Sequence, residues 1–310
     1  MKEQPVVSVV IPTFNRACLV KRAIDSVLSQ TFEDYEIIVV DDFSTDHTPQ
    51  VVTELNDARI NYVRHPQNMG GAASRNTGIV LAKGHFIAFL DSDDTWVANK
   101  LEVQLKAIEH YQASSHIVAY SQRVFEHSAD QKTIPERGKE ATLPLAEYLF
   151  CEQGDMQTST LVLSTQLANT IKFRPSLKKH QDWDFCLRLE AAGADFVFIN
   201  QPLSIWNNEP RTDQVSRIAD YRLSIDWIND WGSAISSRAK SGFLYIEVLP
   251  KLLRLKENKI LAQRILLSSF FHGLIPFEKL KDLTDVNFGY SHNLHQFKKR
   301  LKRLKDKLMA

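Results

Sequence analysis

Residues 6–11, Val-Val-Ser-Val-Val-Ile, are the feature that most restricts the fold, because a near-continuous apolar run of this length calls for a strand covered on both faces. Leu19, Val20, Ala23, Ile24, Val27 and Leu28 follow at helical spacing and lay one apolar stripe along a helix. The alternation continues to residue 120, with strands predicted over 36–40, 60–63, 86–90 and 116–120 and helices over 49–55, 72–82 and 96–111. Strands alternating with helices in this way predict an α/β fold, a Rossmann-like, mostly parallel sheet flanked by helices.

Farther along, residues 122–143 are polar and irregular, which predicts a hairpin or loop over a ligand crevice. Short strands are expected over 156–163 and 196–199, with a helix over 182–191 between them. Beyond about residue 215 the pattern is helical, so two regions are expected, 1–215 and a C-terminal helical extension over 216–310.

With 310 residues, 44% of them hydrophobic and 24% charged, the chain can bury a sizeable core and is not a disordered one. A net charge of +1 gives no global field for nucleic acid. Cys18, Cys151 and Cys186 are odd in number, far apart and without CxxC spacing, which argues against a disulfide framework or zinc site and for a reducing compartment. The N-terminus enters a strand pattern with no long apolar segment, and residues 265–277 are too short and interrupted to span a bilayer. The expected location is the cytoplasm or the cytoplasmic face of a membrane.

Three polar clusters stand where predicted strands end: Pro12-Thr13-Phe14-Asn15, Asp41-Asp42 and Asp91-Ser92-Asp93-Asp94. Ligands of open α/β sheets bind outside the carboxyl ends of strands, so one crevice could collect all three. Carboxylates packed as closely as Asp91, Asp93 and Asp94 repel one another unless a cation relieves them, and Mg2+ or Mn2+ takes such oxygens together with substrate phosphates. The same acids also serve as the cap and first turn of a following helix. Asp41-Asp42 carries the same pair of readings, helix cap or acceptor for a base N–H or ribose hydroxyl.

Residues 68–78, Asn-Met-Gly-Gly-Ala-Ala-Ser-Arg-Asn-Thr-Gly, place two glycines before a helix that carries Arg75. Glycine allows close backbone approach and Arg75 can pair with a phosphate, although a turn glycine and a surface arginine describe the segment equally well. His180-Gln181-Asp182-Trp183-Asp184-Phe185 opens another helix, where two acids suit the helix dipole without any catalytic duty.

Taken in order, Val10 to Arg16 (Val-Ile-Pro-Thr-Phe-Asn-Arg), Ser29-Gln30-Thr31-Phe32, the segment 36–44 ending in Asp41-Asp42-Phe43-Ser44, residues 68–78, Phe89-Leu90-Asp91-Ser92-Asp93-Asp94 and Gln181-Asp182-Trp183-Asp184 resemble the inverting family-two glycosyltransferases of GT-A fold. The resemblance covers roughly residues 5–210. It implies that Pro12, Phe14 and Asp42 line the nucleotide base of a nucleotide-sugar donor, most commonly a UDP-sugar, with Arg75 nearby. It further implies that Asp91 and Asp93 form the family's DxD motif at the donor ribose and the metal-bound diphosphate, with Asp94 sharing the metal. Asp182 matches the family's general base, and Gln181 departs from the usual Glu before it.

An Asp of ordinary pKa, ~3.9, is ionised at neutral pH but is a weak base. Arg211 or Ser216, in the polar segment after Trp206, is expected to reach the diphosphate when that loop closes, unless it is a plain surface loop. Implied acceptors are glycans or lipid-linked sugars of bacterial surface polysaccharide or lipopolysaccharide assembly. Leu294, Phe297, Leu301, Leu304 and Leu308 recur among Lys and Arg residues, predicting a basic amphipathic helix for anionic lipid, or alternatively a helix packed on the body or an oligomer seam. The competing functions are a nucleotidyltransferase, which uses acid-bound metal but no base at Asp182, and a catalytically silent sugar-nucleotide-binding scaffold.

Overall fold

β1 (Val7–Thr13) is buried at every position and lies between two parallel neighbours, β2 (Tyr35–Asp41) and β4 (Phe86–Phe89). The computed structural model that shows this describes residues 4–110, 116–126, 132–207 and 220–288. β3 (Ile60–Arg64) extends the parallel set beyond β2. Helices α1 (Ala17–Leu28), α2 (Thr48–Glu54) and α3 (Gly71–Leu81) make the crossovers. The chain moves from β1 through β2 to β3, then returns to place β4 on the other side of β1. That reversal opens a crevice beyond the carboxyl ends of β1 and β4, the usual ligand position in such sheets.

Among the described residues the sheet has nine strands in the order β3, β2, β1, β4, β8 (Val162–Ser164), β6 (Ile117–Glu126), β9 (Asp195–Asn207) and β5 (Thr95–Trp96), with β7 (Thr133–Ile134) paired to β6. β8 runs antiparallel to both β4 and β6, while β9 runs parallel to β6. β5 pairs with β9, and β7 pairs antiparallel with β6. Helices α4 (Lys100–His110), α6 (Thr165–Ile171) and α7 (Gln181–Ala191) complete this part, whereas α5 (Leu145–Cys151) packs with the C-terminal helices. The α/β class, its parallel N-terminal half and its flanking helices agree with the expectation.

Two local expectations are corrected. A helix was expected to start at residue 96, but Thr95 and Trp96 pair with Ile205 and Ser204, and the Trp96 indole donates to the Ser159 carbonyl at 2.9 Å. These long-range bonds capture the segment before helix can form, so α4 starts at Lys100. Within 156–163, residues Thr158–Thr160 form a single 3-10 turn and only Val162–Ser164 is strand, because Thr160 Oγ1 donates to the Gln157 carbonyl at 2.7 Å and closes the turn.

By internal contacts the chain separates into two compact units, Met1–Leu145 with Gln153–Ser216, and Ala146–Glu152 with Arg217–Ala310. The second contains α8 (Tyr221–Asp230), α9 (Ser237–Phe243), a π-helical turn (Leu244–Val248), α10 (Leu249–Leu255), α11 (Lys259–Phe271) and α12 (Phe277–Phe288). Its core includes Phe150, Trp227 and Phe243, and Arg238 bridges Glu147 and Glu152 at 2.8 and 2.9 Å. Among the described residues no helix is long and apolar enough to cross a membrane. All three cysteines are free.

Candidate active site

The carboxyl end of β1 delivers Phe14, which is 41% exposed, whereas Pro12 is buried within the strand opposite Val40. At the end of β2 the two adjacent acids face different work. Asp41 accepts from the Ser44 amide at 2.8 Å and the Tyr62 hydroxyl at 2.6 Å. Asp42 accepts from the amides of Met69 and Gly70 at 2.8 and 2.7 Å and bonds His65 Nδ1 at 2.8 Å, while His65 Nε2 lies 2.9 Å from Thr77 Oγ1. Asp42 is thus the anchor of the glycine-containing loop before α3, a local use that its position at a strand end did not reveal.

That loop explains its own glycines. Gly70 has φ +87°, a conformation that only glycine adopts without strain. A Cβ on Gly71 would stand 3.3 Å from Arg75 Nη1, and one on Gly78 would collide with Val10 of β1. With the loop held in this way, Arg75 on the first turns of α3 is aimed across the crevice. Its Nη2 is 2.5 Å from Asp91 Oδ1 and its Nη1 donates to Gln181 Oε1 at 2.9 Å. The Arg75 guanidinium also lies 5.4 Å from the ring centre of Phe173.

The three acids after β4 are placed in three different environments. Asp91 pairs with Arg75 and accepts from Thr158 Oγ1 at 3.3 Å. Asp93 pairs with Arg16 at 2.6 Å, and its backbone carbonyl accepts from Arg22 at 2.9 Å. Asp94 is 1% exposed; its Oδ2 accepts from Gln157 and Ser159, each at 2.7 Å, and its Oδ1 is buried without a hydrogen-bond partner. Burial, reinforced by the negative charges of Asp93 and Asp91, pushes the Asp94 pKa up to about 8.

A divalent ion fits this cluster if it brings ligands of its own. Among the described residues no group of three or more His, Cys, Asp or Glu side chains is arranged around a common point. An ion of the Mg2+ type needs only one or two carboxylates when substrate phosphates complete its shell, and the orphaned Asp94 oxygen beside two further carboxylates is the kind of surrounding that attracts one.

Asp182 stands in the first turn of α7, after His180 in the left-handed conformation. The Trp183 amide donates to its Oδ1 at 2.9 Å. The residue is partly exposed, yet desolvation of its carboxyl raises the pKa to about 6; the Trp183 amide and Arg75 oppose the rise, and Asp155 and Asp91 add to it. The weak base expected of an ordinary Asp is therefore a stronger one here. Asp184, two residues on, is fully buried between Arg188 and Arg174 at 2.8 and 3.4 Å and serves the helix rather than the cleft.

Two further charged side chains belong to this region without local sequence signal. Arg123 of β6 holds Asp155 by a fork of 2.6 and 2.9 Å and lies 4.5 Å from the Trp206 ring centre and 5.3 Å from that of Phe125. Both Asp94 and Asp182 act on the Arg123 charge. An arginine among strand residues that also include Ser121, Gln122 and Glu126 gives little hint of burial, yet a buried cation needs an acid. Arg211 and Ser216 lie outside the described residues.

Comparison with known proteins agrees with this architecture. The family model described as Glycosyl transferase family 2 matches residues 8–157. The amylovoran biosynthesis glycosyltransferase AmsB of Erwinia amylovora is 33% identical over 229 residues, 72% of this chain and 76% of its own length. The chain belongs to glycosyl transferase family 2. The glycosyltransferase is also 34% identical over 197 residues to the putative colanic acid biosynthesis glycosyl transferase WcaA of Escherichia coli K12, covering 61% of this chain and 67% of that one. A 99-residue stretch is 46% identical to the E. coli UDP-Glc:alpha-D-GlcNAc-diphosphoundecaprenol beta-1,3-glucosyltransferase WfgD, over 32% of this chain and 39% of that one.

Among solved structures, S. aureus TarS residues 1–349 in complex with UDP-GlcNAc superposes with a TM-score of 0.64 at 18% identity, covering 89% of this chain and 83% of that one. The mannosyltransferase PcManGT of Pyrobaculum calidifontis, in complex with GDP-Man and Mn2+, superposes with a TM-score of 0.58 at 17% identity, covering 94% and 82%. The glycosyltransferase therefore has the GT-A fold.

Proposed function

We propose that this glycosyltransferase moves a sugar from a UDP-sugar to a hydroxyl of a glycan or lipid-linked acceptor, with inversion and with Mg2+ or Mn2+, in bacterial surface-polysaccharide assembly at the cytoplasmic face of the membrane. The observation that carries the reading is Asp182, a partly exposed carboxylate whose pKa is raised to about 6 within electrostatic reach of the paired Arg75 and Asp91.

Asp182 takes the proton of the acceptor hydroxyl, whose oxygen bonds to the anomeric carbon as the bond from that carbon to the diphosphate oxygen breaks and its electron pair leaves with the diphosphate. One displacement inverts the centre. A bound divalent ion supplies neutralisation of the charge that collects on the leaving diphosphate. Asp91, held by Arg75, faces the donor ribose, and Phe14 with the Asp42-anchored loop borders the base. Asp93 and Asp94 would hold the ion through their carboxylate oxygens. Names of the relatives support the setting: amylovoran and colanic acid biosynthesis, and a diphosphoundecaprenol-linked acceptor.

The test is incubation of the protein and its Asp182→Asn variant with Mn2+, a panel of UDP-sugars and GlcNAc-diphosphate-lipid, with the product anomer read by NMR. Transfer with inversion by the wild type and none by the variant is expected. Retention at the anomeric centre, or equal turnover by Asp182→Asn, removes the mechanism.

A further inference from the structure

The α10–α11 hairpin of the second unit ends in seven consecutive exposed residues, 254–260, Arg-Leu-Lys-Glu-Asn-Lys-Ile. Leu255 is 41% and Ile260 67% exposed, the latter the most exposed large hydrophobic among the described residues. Neither is needed by the helix pair, whose inner faces are already filled by Leu252, Ala262, Ile265 and Leu266.

The tip is built rather than frayed. Lys256 closes α10 in the left-handed conformation with its amide bonded to the carbonyls of Leu252 and Leu253, and Asn258 Oδ1 caps α11 by accepting from the Leu261 amide at 3.1 Å. Leu255 and Ile260 therefore stand on two capped helix ends. Arg254 and Lys256 flank Leu255, and Lys259 precedes Ile260. Three cations face a single acid, Glu257, and none of the three is in an ion pair among the described residues. Nearby Lys251 is different, being spent on Glu247.

We infer that this hairpin tip is a membrane-docking element, with Leu255 and Ile260 entering the headgroup–acyl boundary of an anionic bilayer while Arg254, Lys256 and Lys259 meet lipid phosphates. Exposed aliphatics are unfavourable in water and gain by entering that boundary, and each basic residue near a negatively charged surface adds its own attraction. Charge complementarity selects an anionic surface, and an exposed aliphatic beside a cation at each helix end suits the boundary between lipid headgroups and acyl chains. This tip is separate from the basic C-terminal helix expected from sequence, which lies outside the described residues, and it needs no donor or acceptor.

The experiment is sedimentation of the full chain with vesicles of phosphatidylcholine alone and of equal parts phosphatidylcholine and phosphatidylglycerol, without nucleotide sugar. Wild type should favour the anionic vesicles. Leu255→Ser with Ile260→Ser, and separately Lys256→Glu with Lys259→Glu, should each weaken that binding on the order of tenfold. Their far-UV circular dichroism and melting should match wild type, since all four side chains are exposed. Ile260→Trp should show a blue shift of its added emission on anionic vesicles. Absence of wild-type binding, wild-type binding by both double variants, or an unshifted Ile260→Trp spectrum overturns the inference. So does a deletion of residues 291–310 that alone abolishes binding.

Discussion

Arg75 reaches Gln181 across 106 positions of chain, donating from Nη1 to Oε1 at 2.9 Å while its other terminal nitrogen holds Asp91. One guanidinium thereby couples the loop after β4 to the first turn of α7. The residue that stands where the family usually has Glu is an amide that accepts from Arg75 and donates to the Leu177 carbonyl at 2.7 Å.

Replacing Arg75 by Met is expected to lower kcat/KM by about a hundredfold or more, the usual cost of losing one prepositioned charged donor. It also removes the cation that holds the Asp182 pKa down, so the acid limb of the rate profile should move to higher pH. Gln181→Glu brings a new carboxylate to Arg75 near Asp182 and should move that limb in the same direction with activity retained at high pH. Rate profiles of the two variants against wild type decide this, and an unmoved limb in both rules out the coupling.

The raised pKa of Asp182 makes a signed prediction. A base must be unprotonated, so kcat should fall as pH drops through about 6 and level off above it. Asp182→Asn should lose roughly 10²–10⁴-fold in turnover with donor affinity kept, as isothermal titration with UDP would show. Stability runs the other way. Between the ordinary 3.8 and about 6 the folded protein keeps a proton that the unfolded chain has lost, so this group favours folding at low pH and the benefit fades as pH rises through about 6.

Asp93 and Arg16 make an ion pair at 2.6 Å with only 17% and 19% of the two side chains exposed. A metal approaching Asp93 must share it with that guanidinium. Arg16→Gln should therefore tighten Mn2+ binding in the absence of nucleotide by severalfold, measured by electron paramagnetic resonance of free Mn2+. Transfer by the wild type should stop on chelation with EDTA and return with added Mn2+. Unchanged Mn2+ affinity in Arg16→Gln would show that the pair does not compete with the ion.

Lys100 is completely buried against Gln104, 4.3 Å from the Trp96 ring centre, and burial lowers its pKa well below the ordinary value of 10.5. The unfolded chain therefore binds a proton that the folded protein gives up, so this lysine costs stability at neutral pH and the cost shrinks as pH rises toward 10.5. Lys100→Met should flatten the rise in melting temperature between neutral and alkaline pH. An equal slope in variant and wild type means the lysine stays charged inside.

The strand and helix alternation, the acids at the ends of β2 and β4, and the acidic first turn of α7 were legible in the order of residues alone, because periodicity and strand ends are local properties. Where such local signals met long-range bonds, the bonds won: Trp96 joined β9 instead of opening α4, and Thr158–Thr160 became a turn whose neighbouring side chains hold Asp94.

The division of labour among similar residues was decided only by tertiary structure. Asp182 and Asp184 occupy one helical turn, yet one stays partly exposed and the other meets a pair of arginines; Asp42 anchors a loop; Arg123 finds Asp155 thirty-two positions away. A carboxylate's proton affinity depends on the water excluded from it and on the charges brought near it, and both come from parts of the chain that are distant until the sheet has formed.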